Sequence, residues 1–490
     1  MLIRRILCAF AFGLVAVGAS AQLAPSKPAA GPDPSTLTEA QISKAETPGP
    51  LSHLAAIYKE KGDYERLSWS LKRLTELLPN NGDLKLALAT TYALRDEKTK
   101  AYDLLLSMQK QGYGYALAKD PNFDKISKTK IWPYILKGLD ANMQPFGEGK
   151  VAFSLPAGDH LYESLAFDPK RDQLLVGSVR DGTIQLVSKN GALKDFIQPD
   201  AQNGLWSVYA MAADPANDAL YVASTASVYF KGFKQEDFGK AGVFKFQLSS
   251  GKLLAKYPVA SKDAQPNTLS SIAIGKGGLV FAADGLRNVI YRLDGAALKP
   301  MVANPRLSSI RGLAVSGDGK TLYFADYMLG VFGIDLAAGS GFDLHFDPKQ
   351  LVLGGIDGLY WYDGTLVAIE NGMSPRRVMR LRLSADGRSV VGKMPLDASK
   401  PELAMPTYGA IQGDALYFVA NSQKNAYDAY GSPKADAKME PVKVFRSDLR
   451  FAWDDGASGS IDKPAVVSKS TPGSGTFGNV DAGSQSVTGN

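Results

Sequence analysis

The sequence predicts a mainly β fold, a six-bladed β-propeller with an N-terminal α-helical domain, and three observations predict it. One strand phrase returns six times between Leu165 and Asn421. It opens as Leu165-Ala-Phe-Asp-Pro with Leu174-Leu-Val-Gly-Ser and recurs with first residues at Met211, Ile272, Leu313, Leu359 and Ala410, spaced 46, 61, 41, 46 and 51 apart. A unit of this length built from short strands cannot bury both faces of its small sheet unless neighbours stack on it, which is the logic of a propeller blade. Second, each copy is followed by a third alternating strand, at Thr183–Val187, Val243–Leu248, Val289–Leu293, Val331–Leu336, Val378–Leu383 and Val442–Phe445. Third, Val151–Leu155 is a spare strand ahead of the first copy. Pairing it with the last blade closes the ring and removes the free edge.

Taken from the N-terminus, residues 1–21 carry Arg4 and Arg5, an apolar run from Ile6 to Val17 and the small-residue end Ala19-Ser-Ala21. That is the layout of a secretory signal, and it predicts a periplasmic or secreted protein. The apolar run falls short of the ~20 residues a membrane span needs, so no stable span is expected. Cys8 lies inside this segment and is the only cysteine, so the mature chain holds no disulfide and no cysteine metal site. Removing Arg4 and Arg5 leaves 53 basic against 49 acidic residues, a net charge of +4. So mild a balance excludes nucleic acid as a partner class.

Residues 22–47 are rich in Pro, Ala, Ser and Thr and read as a disordered linker. Residues 48–144 read as helical repeats: Leu54, Tyr58, Gly62, Tyr64, Leu67, Leu74 and Pro79 keep the spacing of a tetratricopeptide repeat. A second copy runs through Leu86, Ala89, Tyr92, Ala101 and Leu105, with Asp96 where the turn glycine belongs. Such helix pairs present a groove for a protein partner, or serve only as a cap or spacer. The propeller takes residues 145–454, and the Gly-, Ser- and Asp-rich residues 455–490 read as a disordered tail.

The phrases Ile310-Arg-Gly-Leu-Ala-Val-Ser-Gly-Asp-Gly-Lys-Thr-Leu-Tyr-Phe-Ala-Asp and Ile356-Asp-Gly-Leu resemble the senescence marker protein/gluconolactonase family of six-bladed propellers, over roughly residues 151 to 453. The resemblance implies hydrolysis of lactones or related esters and a divalent metal, often Ca2+, at the axis. It further implies a metal site made of a first-blade carboxylate, asparagine oxygens from the third and fourth blades and a fifth-blade aspartate. Glu163 and Asp357 match the two carboxylates. Asn267 matches the third-blade ligand only with a gap of three residues, and Ser270 takes the position without it. Arg311 stands where the fourth-blade asparagine belongs. A guanidinium repels a metal and pairs with carboxylates instead, so this departure puts the metal in doubt.

Independently of the resemblance, residues two before each first hydrophobic position converge on one mouth of the channel: Glu163, Tyr209, Ser270, Arg311, Asp357 and Tyr408. His160, Trp206, Asn267 and Thr407 lie in loops just ahead. An arginine, two carboxylates and aromatic neighbours make a pocket for a small polar or carboxylated ligand, or a charge cluster that plugs the axis. His160 is a candidate general base, because a histidine titrates near neutrality, and Asp357 is the other candidate for moving a proton. No phosphate loop, paired-histidine metal motif or Gly-x-Ser-x-Gly elbow is present. Two functional classes stay open: an exported lactonase-like hydrolase, and a non-catalytic binding or scaffold propeller.

Overall fold

Six four-stranded antiparallel sheets follow one another around a ring, each built from strands that alternate apolar residues toward two neighbours. The computed structural model describes residues 33–260 and 265–450; the expected signal segment, the start of the linker and the tail lie outside them. Two compact units divide at Met143/Gln144.

In the first unit, helices Pro48–Lys61 and Tyr64–Leu77 form one hairpin and Gly82–Leu94 and Lys98–Lys110 a second. Leu51, Ala55 and Tyr58 recur at helical spacing and are buried, as are Leu67, Leu71 and Leu74 on the facing helix. The side chains of Asp63 and Asn81 cap the following helices by accepting from Arg66 N and Leu84 N. Gly62 turns the first hairpin at φ 67°. Asp96 holds the same left-handed conformation at φ 60° in the second, a conformation aspartate tolerates better than most residues. The substitution that weakened the repeat pattern therefore preserves the turn.

The linker expected over residues 22–47 is ordered from Asp33 onward. Helix Glu39–Ile42 is closed by a capping box between Thr38 and Gln41. Ile42 is buried. Tyr58 Oη, Arg66 Nε and Arg73 Nε donate to the carbonyls of Pro34, Leu37 and Ala45 at 2.7, 3.1 and 2.8 Å. Composition missed this because the fixing donors come from the helices, not from the segment itself. Among the described residues no helix is long and apolar enough to cross a membrane.

In the second unit the innermost strands are β2 (Tyr162–Asp168), β6 (Ser207–Asp214), β10 (Leu269–Gly275), β14 (Ile310–Val315), β18 (Ile356–Tyr362) and β22 (Gly409–Gln412). Blade six is completed by β23 (Ala415–Val419), β24 (Val442–Asp448) and the N-terminal β1 (Lys150–Leu155), in the order β1-β24-β23-β22. The spare strand does close the ring, with Leu155 opposite Val442 and Lys150 opposite Arg446. Six apolar clusters fill the six interfaces between blades. Period two divides each strand between two of them: Leu220 and Val222 face blade one while Ala219, Tyr221 and Ala223 face blade three. Along the axis the channel is a cavity of about 480 Å³ lined by all six inner strands, where alanine, serine and glycine are interleaved with larger apolar side chains.

Candidate functional site at the channel mouth

Each inner strand begins at the same mouth, and five of the six carry a register shift at the same place. Tyr162 pairs with Ser178 and Ser164 with Gly177, which leaves Glu163 unopposed. Tyr209, Ser270 and Asp357 are unopposed in the same way, and Arg311 lies in the irregular pair Arg311-Gly312. In blade six Val419 bonds both Thr407 N and Tyr408 O, so Tyr408 occupies the matching position. A bulge of this kind bends the strand and re-aims one side chain. The six positions picked out by spacing are thus five bulge positions and their counterpart in blade six, on one ring.

The charged part of that ring lies on blades four, five, six and one. Arg311 Nη1 donates to Asp357 Oδ1 at 3.1 Å, with the Asp357 side chain 6% and that of Arg311 33% exposed. Asn371 Nδ2 donates to Asp357 Oδ2. Tyr327 Oη in turn donates to Asn371 Oδ1 at 2.8 Å, and the Tyr327 ring lies 5.1 Å from the guanidinium carbon. Ser309 Oγ accepts from Arg311 Nε at 2.9 Å. Glu163 is buried and accepts from Ser422 Oγ. Burial pushes its carboxyl up, aided by the neighbouring Asp357 and opposed by Lys424, Ser422 and Arg311. Burial likewise pushes Asp357 up, against Arg311, Lys424 and Asn371.

The rest of the ring is neutral. Tyr209 Oη donates to Ser227 Oγ at 3.0 Å, and burial raises its pKa. Ser270 Oγ, Asn267 Oδ1, Thr407 Oγ1 and Tyr408 Oη are buried without a hydrogen-bond partner of good geometry. Such orphaned atoms are costly and mark where water or a ligand is expected.

Three expected residues make contacts away from the Arg311–Asp357 pair. Trp206 packs edge-on to Phe244, ring centroids 5.9 Å apart, against the core between blades one and two. Asn267 spends its Nδ2 on the Gly239 carbonyl at 3.2 Å. His160 faces Asp181 through Nδ1 at 2.6 Å and stacks on Tyr162, with the side chain 37% exposed. Although burial favours the neutral acid, hydrogen bonds from His160, Lys231 and Ser178 hold Asp181 down to about 2. No contact joins His160 to Glu163, Arg311 or Asp357, so a histidine acting in the mouth is not what this arrangement provides.

The residues present do not fit a divalent metal. Both Asp357 oxygens accept N–H groups, one from a cation, and Glu163 accepts a hydroxyl. Calcium needs six to eight free oxygen donors and no positive group among them. Sequence reasoning missed Asn371, Tyr327, Ser309, Ser422 and Lys424. The available signal was loop length: the connection from Ala420 to Pro441 is far longer than the others except that of blade two.

Bulged inner strands, a closed ring and a charged mouth define the class as a six-bladed β-propeller preceded by a helical unit. No family model matches the chain, and no curated protein matches it. Among solved structures it is similar to the PQQ-bound aldose sugar dehydrogenase of Streptomyces coelicolor, 17% identical over 62% of this chain and 99% of that one, TM-score 0.40. It is also similar to a gluconolactonase of Xanthomonas campestris, 13% identical over 63% of this chain and 92% of that one, TM-score 0.41. The virginiamycin B lyase of Staphylococcus aureus is a third, 14% identical over 62% and 100%, TM-score 0.41.

Proposed function

We propose that this is an exported propeller that binds a small polyhydroxylated carboxylate at the polar mouth without a divalent metal. The observation that carries the reading is the Arg311–Asp357 pair, because it places a cation where a metal would need oxygen. Of the five guanidinium N–H groups, the one on Nε and one of the two on Nη1 are engaged by Ser309 and Asp357, Tyr408 lies beside the group, and a third of the side chain is exposed. The remaining donors suit a carboxylate in bidentate geometry. Hydroxyls of the same ligand would meet Ser270 Oγ, Asn267 Oδ1 and Thr407 Oγ1, which lack partners. The helical unit is proposed to hold a protein partner.

A second reading, lactone hydrolysis at the same mouth, is favoured by Glu163. Burial favours its protonated form, the form that donates to a leaving alkoxide. Loss of δ-gluconolactone hydrolysis in Glu163→Gln would support it; absence of turnover in the natural protein would end it.

The test of the main reading is calorimetric titration with D-gluconate, together with thermal unfolding in Ca2+ after chelation, for the natural chain and Arg311→Asn. The natural chain should bind gluconate and ignore Ca2+. In Arg311→Asn the cation is removed and an amide oxygen stands in its place, so gluconate binding is lost and Ca2+ now raises the melting temperature. A Ca2+ concentration a hundred times its dissociation constant adds about 2.7 kcal/mol to stability. Stabilisation of the natural chain by Ca2+, or gluconate binding indifferent to Arg311→Asn, overturns the reading.

A further inference from the structure

The connection from Ala420 to Pro441 is not a slack loop but a strap across the mouth. Its base is stapled: Gln423 Nε2 donates to Glu440 O at 2.5 Å, Glu440 N to Gln423 Oε1 at 2.9 Å and Asn421 Nδ2 to Pro441 O at 3.1 Å. Its middle reaches blades one and two. Tyr427 Oη donates to Asp159 Oδ1 at 2.8 Å. Arg180, gripped by Asp159 through Nε and Nη2 at 2.7 and 2.9 Å, donates from Nη1 to Gly431 O at 2.7 Å and stacks on the Tyr427 ring at 5.2 Å. Tyr427 is buried with Leu161 and Val179, and Tyr209, Tyr229, Ala426 and Met439 pack around them. Gly431, at φ 78°, passes so close to Val228 O that a Cβ would come within 2.3 Å of it.

The strap therefore sets its first residues over the ring. Ser422 Oγ donates to Glu163. Two residues on, Lys424 is exposed and makes no ion pair among the described residues, while its charge favours the ionised forms of both Glu163 and Asp357. The mouth thus carries two cations, Arg311 and Lys424. Of the two acids facing them, Asp357 is already paired with Arg311 and Glu163 is buried and bonded to a hydroxyl. An uncompensated cation beside a concave site raises the local concentration of anions.

We propose that the strap is a ligand-binding lid whose contact residue is Lys424, and that the ligand is a small dianion, one anionic group held by Arg311 and the second by Lys424. This rests on the carboxylate reading of the mouth and narrows it. Long structured loops over a rigid scaffold commonly carry such binding groups.

The test titrates the full chain with D-gluconate, a monoanion, and D-glucarate, the corresponding dianion, by calorimetry, and follows amide exchange of residues 420–441. Glucarate should bind at least tenfold tighter than gluconate. That ratio should collapse toward one in Lys424→Gln and return in Lys424→Arg. Exchange across the strap should slow with glucarate more than with gluconate. Gluconate binding with no dianion preference, or a preference untouched by Lys424→Gln, overturns this inference and leaves the mouth reading standing. Binding of neither overturns both.

Discussion

Glu163 holds a largely buried acid, and that fixes the sign of a pH effect. Burial raises its folded pKa, with Asp357 adding to the rise and Lys424, Ser422 and Arg311 opposing it. A raised carboxyl binds its proton more tightly in the native state than in the unfolded one. Stability from this group is therefore fully present below the unfolded value, about 4.3 for a glutamate, and is lost as pH rises through the folded pKa. Asp357, Glu370 and Asp397 are raised by burial too, so the contribution must be isolated by comparison. Glu163→Gln removes the titration but keeps an acceptor for Ser422. Its melting temperature, measured from pH 4 to pH 8 beside that of the natural chain, should gain on the latter steadily as pH rises. A constant difference across the range would mean that Glu163 titrates alike in both states.

The element that organises the mouth is the bulged inner strand, and its tolerance is narrow. At Gly312, beside Arg311, a Cβ would sit 2.7 Å from Leu359 N and 2.6 Å from its Cβ on the next inner strand. Backbone cannot yield as a side-chain tip can, so Gly312→Ala should cost about 1–3 kcal/mol by overpacking and shift Arg311 relative to Asp357. Chemical denaturation checks the cost, and an unchanged midpoint would show that blades four and five part freely. This element also marks how far the sequence can be read. Spacing two residues ahead of each phrase locates Glu163, Tyr209, Ser270, Arg311, Asp357 and Tyr408, because a phrase repeated by the fold places its bulge at the same step each time. It says nothing of which side chain meets which. Asn371 reaches Asp357 from the end of the neighbouring strand of blade five, while Ser422 reaches Glu163 across 259 residues, a pairing that depends on closure of the whole ring. Trp206 shows the converse error: an aromatic ahead of a phrase looks like a pocket wall, yet it is consumed by the core between blades.

At the scale of the molecule, the ring is a closed loop of interfaces, and closure depends on one strand from the N-terminal side. The six repeats and the spare strand made the blade count and the closure legible, since a sheet edge left open invites pairing. What composition did not reveal is how that strand is anchored. Asp397, fully buried, accepts from Gly149 N at 2.8 Å, and Lys400 Nζ donates to the carbonyls of Gly147 and Gly149 at 2.8 and 2.7 Å. Phe146 exchanges both backbone bonds with Ala398, at 3.0 and 3.1 Å. The chain leading into β1 is thus held by blade five before β1 pairs with β24 in blade six, so the closing strand bridges two blades at once. Leu155, fully buried, fills the interface between blades six and one with Leu165, Val176 and Val442. A chain beginning at residue 144 should unfold in one cooperative transition. One beginning at residue 157 loses β1, exposes the edge of β24 and opens the cluster around Leu155. It should melt earlier, in a broader transition, and self-associate through the free edge. Scanning calorimetry with light scattering separates the two chains, and equal midpoints without association would show that the interfaces between blades hold the ring without its closing strand.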